Sequence, residues 1–418
     1  MYLTRAQIPA DIQARYRSRI VWSGNKTLVR ITKGIYGLPQ AGRLANQKLV
    51  TLLSSHGYQQ TSTPCLFKHN TRDIYFTLVV DDFAIKYKHI DDVEHLFSTI
   101  RQQYRLETDM AGSKYIGITI KYDKTARTIS LSMPGYVESA LKRFHVIRAS
   151  KPTCSPLVFE PIVYGQKTQL TTHDDSLPVS PEIATFIREV IGVFLYYARA
   201  VDVNMLTPLS KLASRQANPT VALHEAVLHF LQYAATYPNA QLQYHPSNMR
   251  LILSSDASYL SESQSRSRAG GVHYLSTLGP PEAAPFNGPI DVVTTIIPTV
   301  VSAASEAEVA ALYLNGQAAL PTRQTLSDLG YHQSATPIFT DNTTALGIAN
   351  SKVRLKRSKA IDMRSFWIRD RVTLGDYTIT WGPGSDNLGD YFTKTRPASH
   401  YRAVCPRFVT DLLPGSIA

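Results

Sequence analysis

Apolar positions follow two different periods along this chain, and the change of period divides it. Residues 27–31 alternate as a short strand and run into the turn-rich stretch Lys33-Gly-Ile-Tyr-Gly-Leu-Pro-Gln-Ala-Gly, which enters a predicted helix over residues 41–55 that stops near Gly57. Residues 74–80 and 83–87 read as two apolar strands, with Asp81 and Asp82 at the turn between them. A helical pattern covers 91–104, and a second hairpin follows in 115–122 and 128–133 around an Asp-Lys turn. Residues 151–181 carry five prolines with little periodicity and read as an extended linker. Three-to-four periodicity resumes at 182–199, 205–216 and 221–236. From residue 250 the order becomes strand (251–255), strand (271–276), strand (291–298), helix (302–320), strand (337–340), helix (343–349), helix (361–374), strand (377–381) and a short helix near Leu388. No repeat is evident.

Composition narrows the function classes. At 418 residues, 44% hydrophobic and 18% charged, the chain has ordinary globular composition and length for two or three domains. No apolar run approaches the ~20 residues that cross a bilayer, and no signal-peptide pattern opens the sequence, so neither a membrane protein nor a secreted one is expected. Cys65, Cys154 and Cys405 stand far apart and outside any zinc spacing, which fits a reducing, cytoplasmic setting. The net charge of +12 is uneven. Thirteen Lys/Arg face four Asp/Glu up to Lys88, and eight face two between residues 352 and 371. Basic surface of this kind attracts phosphate by counterion release.

Four acids stand at distinct points of the C-terminal order: Asp256 at the end of the first strand, Glu308 in the long helix, Asp341 at a strand-to-helix junction, and Asp390 near the last helix. Carboxylates gathered from such places can hold two divalent ions that activate water for phosphodiester cleavage. An all-oxygen donor set favours Mg2+, with Mn2+ as a substitute. Glu306 and Glu308, two apart on one helix, project about 200° from each other, so only one can point into a shared site. The spacing alone leaves open which of the two it is. The polar segment Ser261-Glu-Ser-Gln-Ser-Arg-Ser-Arg, with Arg266 and Arg268, and the basic run ending at Lys359, with Arg364 beyond it, are candidate nucleic-acid contacts.

Several segments resemble the ribonuclease H domain of reverse transcriptases, most closely that of copia-type LTR-retrotransposon polyproteins: Ser255-Asp-Ala-Ser-Tyr, Ser305-Glu-Ala-Glu-Val-Ala-Ala-Leu-Tyr, Phe339-Thr-Asp-Asn-Thr-Thr-Ala-Leu-Gly-Ile, Ile361-Asp-Met-Arg-Ser-Phe-Trp-Ile-Arg-Asp and Asn387-Leu-Gly-Asp-Tyr-Phe-Thr-Lys. The resemblance implies an α/β domain with a mixed five-stranded sheet at 249–400. Asp256, Glu308, Asp341 and Asp390 would be its catalytic metal ligands, two Mg2+ ions its cofactor, and an RNA/DNA hybrid its substrate, recognised by shape, phosphates and 2′-hydroxyls. A histidine that retroviral versions carry before the last aspartate is absent from Gly382-Pro-Gly-Ser-Asp-Asn-Leu-Gly, so no histidine role carries over.

The N-terminal half resembles the palm of the same polyproteins. Asp81 and Asp82 match the paired aspartates of the palm hairpin as catalytic metal ligands, although Val79 replaces the usual aromatic residue. Lys33-Gly-Ile-Tyr-Gly-Leu-Pro-Gln-Ala-Gly-Arg matches the segment before the palm helix, which places Gln40 under the nucleotide pair and Arg43 beside nucleic acid. The implied organisation is a truncated palm and hairpin at 1–150, a Pro-rich linker and helical thumb or connection at 151–248, the ribonuclease H-like domain, and a tail at 401–418. Polymerisation needs a further aspartate on an earlier strand, and the only acid before Asp73 is Asp11 beside Pro9. The resemblance therefore implies an incomplete polymerase site, with the fingers and first palm strand N-terminal to Met1 as a missing partner segment. It also implies hybrid cleavage as the activity, an inactive nucleic-acid-binding remnant as the alternative, and a cytoplasmic location, within a virus-like particle if the element is active.

Overall fold

A computed structural model describes residues 2–30, 38–159, 174–277, 286–351 and 359–410, which fall into two compact units, 1–108 and 109–418. Of the segments singled out above, Lys33 to Gly37, most of the Pro-rich stretch, and the basic run 352–358 lie outside the described residues, as does the side chain of Lys359.

In the first unit, β1 (Tyr2–Thr4), α1 (Ala10–Arg15), β2 (Trp22–Ser23) and β3 (Lys26–Leu28) make a small sheet in the order β1-β3-β2. Next come α2 (Pro39–Ser55), β4 (Tyr58–Gln60), β5 (Leu66–His69), β6 (Ile74–Val79), β7 (Asp82–Tyr87) and α3 (Ile90–Arg101), with an antiparallel sheet ordered β4-β5-β6-β7. Pro39 at the start of α2 is favourable because its missing N–H belongs to the unpaired first turn. On β6, Ile74, Phe76 and Leu78 are buried, while the intervening Tyr75, Thr77 and Val79 are more exposed. That is the two-residue period of a strand with one covered face. The covering comes from α3, whose Val93, Leu96, Phe97 and Ile100 form one stripe. The hairpin closes with Val79 opposite Asp82, leaving Val80 and Asp81 as the turn. Val80 takes φ +57°, a left-handed conformation that a β-branched side chain rarely adopts.

The second unit opens with β8 (Lys114–Tyr115), β9 (Ile118–Asp123), β10 (Thr128–Ser132) and α4 (Tyr136–Arg143). The helices α5 (Pro181–Ala200), α6 (Leu206–Arg215) and α7 (Val221–Thr236) follow, then β11 (Gln241–Tyr244). β10 pairs antiparallel with β11, so the second hairpin is joined to a strand more than a hundred residues later. Phe194 and Phe230 meet edge to face at 5.3 Å in the helical core.

The rest of the unit consists of β12 (Arg250–Glu262), β13 (Arg266–Ser276), β14 (Pro289–Ile296), α8 (Ala304–Asp328), β15 (Thr336–Thr340), α9 (Thr343–Ala349), α10 (Lys359–Thr373), β16 (Tyr377–Trp381) and α11 (Ala398–Val404). The strands form the expected mixed five-stranded sheet, ordered β14-β13-β12-β15-β16. Its first three strands are antiparallel, and β15 and β16 are parallel additions. α8 is longer than predicted and passes through Pro321, because Leu312, Ala319 and Leu326, spaced seven apart, keep one face buried on the sheet. The polar segment 261–268 is not a loop: β12 continues to Glu262 and β13 begins at Arg266, leaving a short turn with Gln264 and Ser265 at positive φ.

Candidate metal centre

Asp256, Glu308 and Asp341 offer carboxylate oxygens that all lie within 4.8 Å of one another, and they form the only such group of three among the described residues. Each arrives from a different element. Asp256 sits on β12 opposite Gly270 of β13 and is buried. Glu308 lies in the second turn of α8, on the face against the sheet, and is also buried. Asp341 follows the last residue of β15. Its neighbour Asn342 caps α9 by accepting from the Ala345 N–H at 2.9 Å, which leaves the Asp341 carboxylate free of capping. Its backbone carbonyl accepts from the Trp381 indole at 3.0 Å. A Cβ at Gly384 would stand 2.8 Å from Asp341 Oδ2, so the loop after β16 approaches this closely only with glycine there.

The electrostatics match the geometry. Burial, then the charge of Asp390, pushes the Asp256 carboxyl up to about 7, against relief from Lys394 and from Thr393 Oγ1, which donates to Oδ2 at 2.9 Å. Burial, then Asp256 and Asp341, holds Glu308 well above the usual carboxylate range, although it accepts a hydrogen bond from the Ala257 N–H. Glu308 Oε2 is buried with no hydrogen-bond partner. Neighbouring carboxylates cannot all ionise in a desolvated site without a compensating cation. A hard, all-oxygen donor set with one unspent buried oxygen fits Mg2+ or Mn2+.

Glu306 takes a different part. It accepts from both Ser302 N and Ser302 Oγ at 2.7 Å, closing the first turn of α8. Asp390 is not in the group of three, but its charge acts on Asp256, and it pairs with Lys394 Nζ at 3.0 Å and with Arg396.

Arg268 is a correction. Expected at a nucleic-acid surface, it is fully buried, pairs with Glu262 at 2.6 Å and donates to Ser210 Oγ on α6 at 2.8 Å. Its place on a strand facing α6, rather than in a loop, explains the difference. Arg266 is half-buried beside Gln264, and Arg364 donates to Thr299 Oγ1 at 3.0 Å. In the first unit Gln40 and Arg43 are exposed on α2, and Asp81 and Asp82 are exposed at the hairpin. Neither aspartate belongs to a group of three acids among the described residues. Thr393, Lys394 and Trp381 were not assigned from the sequence. The Thr-Lys pair lies in the motif that ends at Lys394, but only the fold shows what it touches.

Residues 12–158 match the family model described as reverse transcriptase (RNA-dependent DNA polymerase). The chain is 25% identical over 397 residues to the retrovirus-related Pol polyprotein from transposon TNT 1-94 of Nicotiana tabacum, covering 93% of this chain and 28% of that one. It is 21% identical over 406 residues to the transposon Ty1-ER2 Gag-Pol polyprotein of Saccharomyces cerevisiae, covering 92% and 22%. It therefore spans about a quarter of the length of these relatives. Among solved structures, the foamy viral protease-reverse transcriptase in complex with an RNA/DNA hybrid matches 93% of this chain and 43% of that one at 12% identity and a TM-score of 0.46. The N-terminal RNase H domain of a Mycobacterium tuberculosis protein, fused to maltose binding protein, matches 38% of this chain and 97% of that one at 10% identity and a TM-score of 0.25.

Proposed function

We propose that the chain is a region of a copia/Ty1-type retrotransposon Pol polyprotein, a reverse transcriptase segment followed by an RNase H-like domain, and that it cleaves the RNA strand of RNA/DNA hybrids with divalent metal. The observation that carries this reading is the convergence of Asp256, Glu308 and Asp341 with an unpartnered buried Glu308 oxygen. These three side chains would hold the metal. Bound there, a pair of Mg2+ ions, or Mn2+ in their place, would supply activated water and charge stabilisation for an in-line phosphodiester displacement. The chain's own groups prepare the site: Thr393 Oγ1 orients the Asp256 carboxylate, and the Ala257 N–H orients Glu308. Half-buried Arg266 and Arg364 are proposed to meet hybrid phosphates.

The test is cleavage of a labelled hybrid by the purified chain with Mg2+, and its loss with chelator and in Asp256→Asn. Cleavage undiminished by that substitution would overturn the proposal. A second reading, a remnant that binds nucleic acid without cutting it, is favoured by one observation: Asp390 is spent on Lys394 and Arg396. Hybrid binding without cleavage by the unaltered chain would select it. For polymerisation, the exposed Asp81 and Asp82, with no third acid in their group among the described residues, favour no primer extension by this chain. Incorporation of nucleotides by the purified chain would refute that.

A further inference from the structure

We propose that Asn315, assisted by His273, is a positioning residue that fixes the spacing between Asp256 and Glu308; the inference rests on the metal-dependent reading above. Asn315 lies on α8 seven residues after Glu308, two helical turns along the same face. It is fully buried. Its Nδ2 donates to Ser255 Oγ at 3.1 Å and to the Gly270 carbonyl at 3.1 Å, and stands 3.0 Å from the Ala311 carbonyl of its own helix. Ser255 immediately precedes Asp256 on β12, and Gly270 is the residue opposite Asp256 on β13. One amide from the Glu308 helix thus grips both strands at the level of Asp256.

The other end of the amide is fixed as well. Asn315 Oδ1 lies 3.1 Å from His273 Nε2, which is buried and presents its N–H to that oxygen, since the donors of Asn315 are spent on the strands. His273 Nδ1 has no hydrogen-bond partner and faces Asp291 Oδ2 at 3.9 Å. Room for the amide comes from Gly271, where a Cβ would stand 1.8 Å from Asn315 Oδ1. Such a fastener has a specific task here. Buried like charges on a helix and a strand repel, and α8 relieves that repulsion most simply by sliding along the sheet. The three-way amide opposes the slide, because any shift leaves buried polar groups unpaired.

The experiment measures Mn2+ binding by calorimetry at pH 8 and exchange of the Ala257 amide, which donates to Glu308, together with thermal stability of the full chain. Asn315→Ala and Gly271→Ala are each expected to weaken Mn2+ binding about tenfold, the lower end for residues that orient metal ligands. Asn315→Ala should also speed Ala257 exchange without metal. In Gly271→Ala/Asn315→Ala the new methyl fills vacated space, so stability recovers while affinity stays weak. A double variant that binds Mn2+ as tightly as the unaltered chain would overturn the inference. So would unchanged affinity and Ala257 exchange in folded Asn315→Ala, with the function proposal intact. No Mn2+ binding by the unaltered chain would remove both.

Discussion

Replacing Arg268 by methionine keeps the volume of the side chain and removes its charge, which separates a buried structural role from a nucleic-acid contact. The guanidinium is fully buried and pairs with Glu262 at 2.6 Å through Nε, while Nη1 donates to Ser210 Oγ at 2.8 Å and Thr294 Oγ1 at 3.2 Å and Nη2 has no hydrogen-bond partner. Breaking a buried pair from one side leaves an uncompensated carboxylate and costs about 3 to 5 kcal/mol. The lower end applies, because Lys211 Nζ lies 3.7 Å from the same Glu262 oxygen and keeps one cation at hand. A loss of about 3 kcal/mol lowers the melting temperature by roughly 6 °C at about 2 °C per kcal/mol for a unit of this size. Scanning calorimetry of the full chain measures it in the transition of the second unit. Arg268→Met/Glu262→Gln removes both charges and should recover most of the loss, while hybrid affinity stays within twofold throughout. A melting temperature unchanged in Arg268→Met, or hybrid affinity falling while stability holds, would refute the buried-pair reasoning.

Other outcomes follow from the same structure. Asp202 is fully buried, and burial pushes its carboxyl up to about 7 from 3.8, so the folded chain binds more protons than the unfolded one between those values and loses stability as pH rises through that window. At about 1.4 kcal/mol per pH unit the cost by pH 8 is about 4 kcal/mol, and Asp202→Asn should flatten the pH dependence of the melting temperature; an Asn variant with the original slope contradicts it. Asp256 carries the same sign, pushed up to about 7, so Mn2+, which needs the deprotonated site, should raise the melting temperature more at pH 8 than at pH 5, and an equal shift at both would argue against binding there. Gly384→Ala puts a methyl 2.8 Å from Asp341 Oδ2 and should weaken Mn2+ binding about tenfold in titration calorimetry, whereas wild-type affinity would show that the loop yields. Phe76→Ala, at the centre of the first unit's core and stacked on Phe67 at 5.2 Å, should cost about 3 to 5 kcal/mol in denaturant unfolding, and a cost under ~1 kcal/mol would mean that the strand is not packed as described.

Local chemistry was enough for much of this protein. Alternation in Ile74, Phe76 and Leu78 and the helical stripe of Val93, Leu96 and Ile100 are backbone periods, so sequence alone placed β6 and α3. The five strands of the C-terminal sheet were legible for the same reason, while their joining in one mixed sheet came from the family resemblance; helical geometry admitted only one of Glu306 and Glu308, and the resemblance chose Glu308. What sequence could not supply was anything set by distance through space. The pairing of β10 with β11 joins residues 128–132 to 241–244, and no local pattern encodes such a partner. Arg268 reads as a surface arginine until β13 turns it beneath α6 to meet Glu262 and Ser210. Asp390 has a carboxylate as suitable as the other three, and only the fold shows that it acts on Asp256 while paired with Lys394 and Arg396. Asn315, one asparagine in a long helix, gains its meaning only from the two strands it touches. Sequence fixes which elements form, because secondary structure answers to neighbours a few residues away; the tertiary structure decides which charges meet, because Coulomb and hydrogen-bond energies depend on ångströms that only packing sets.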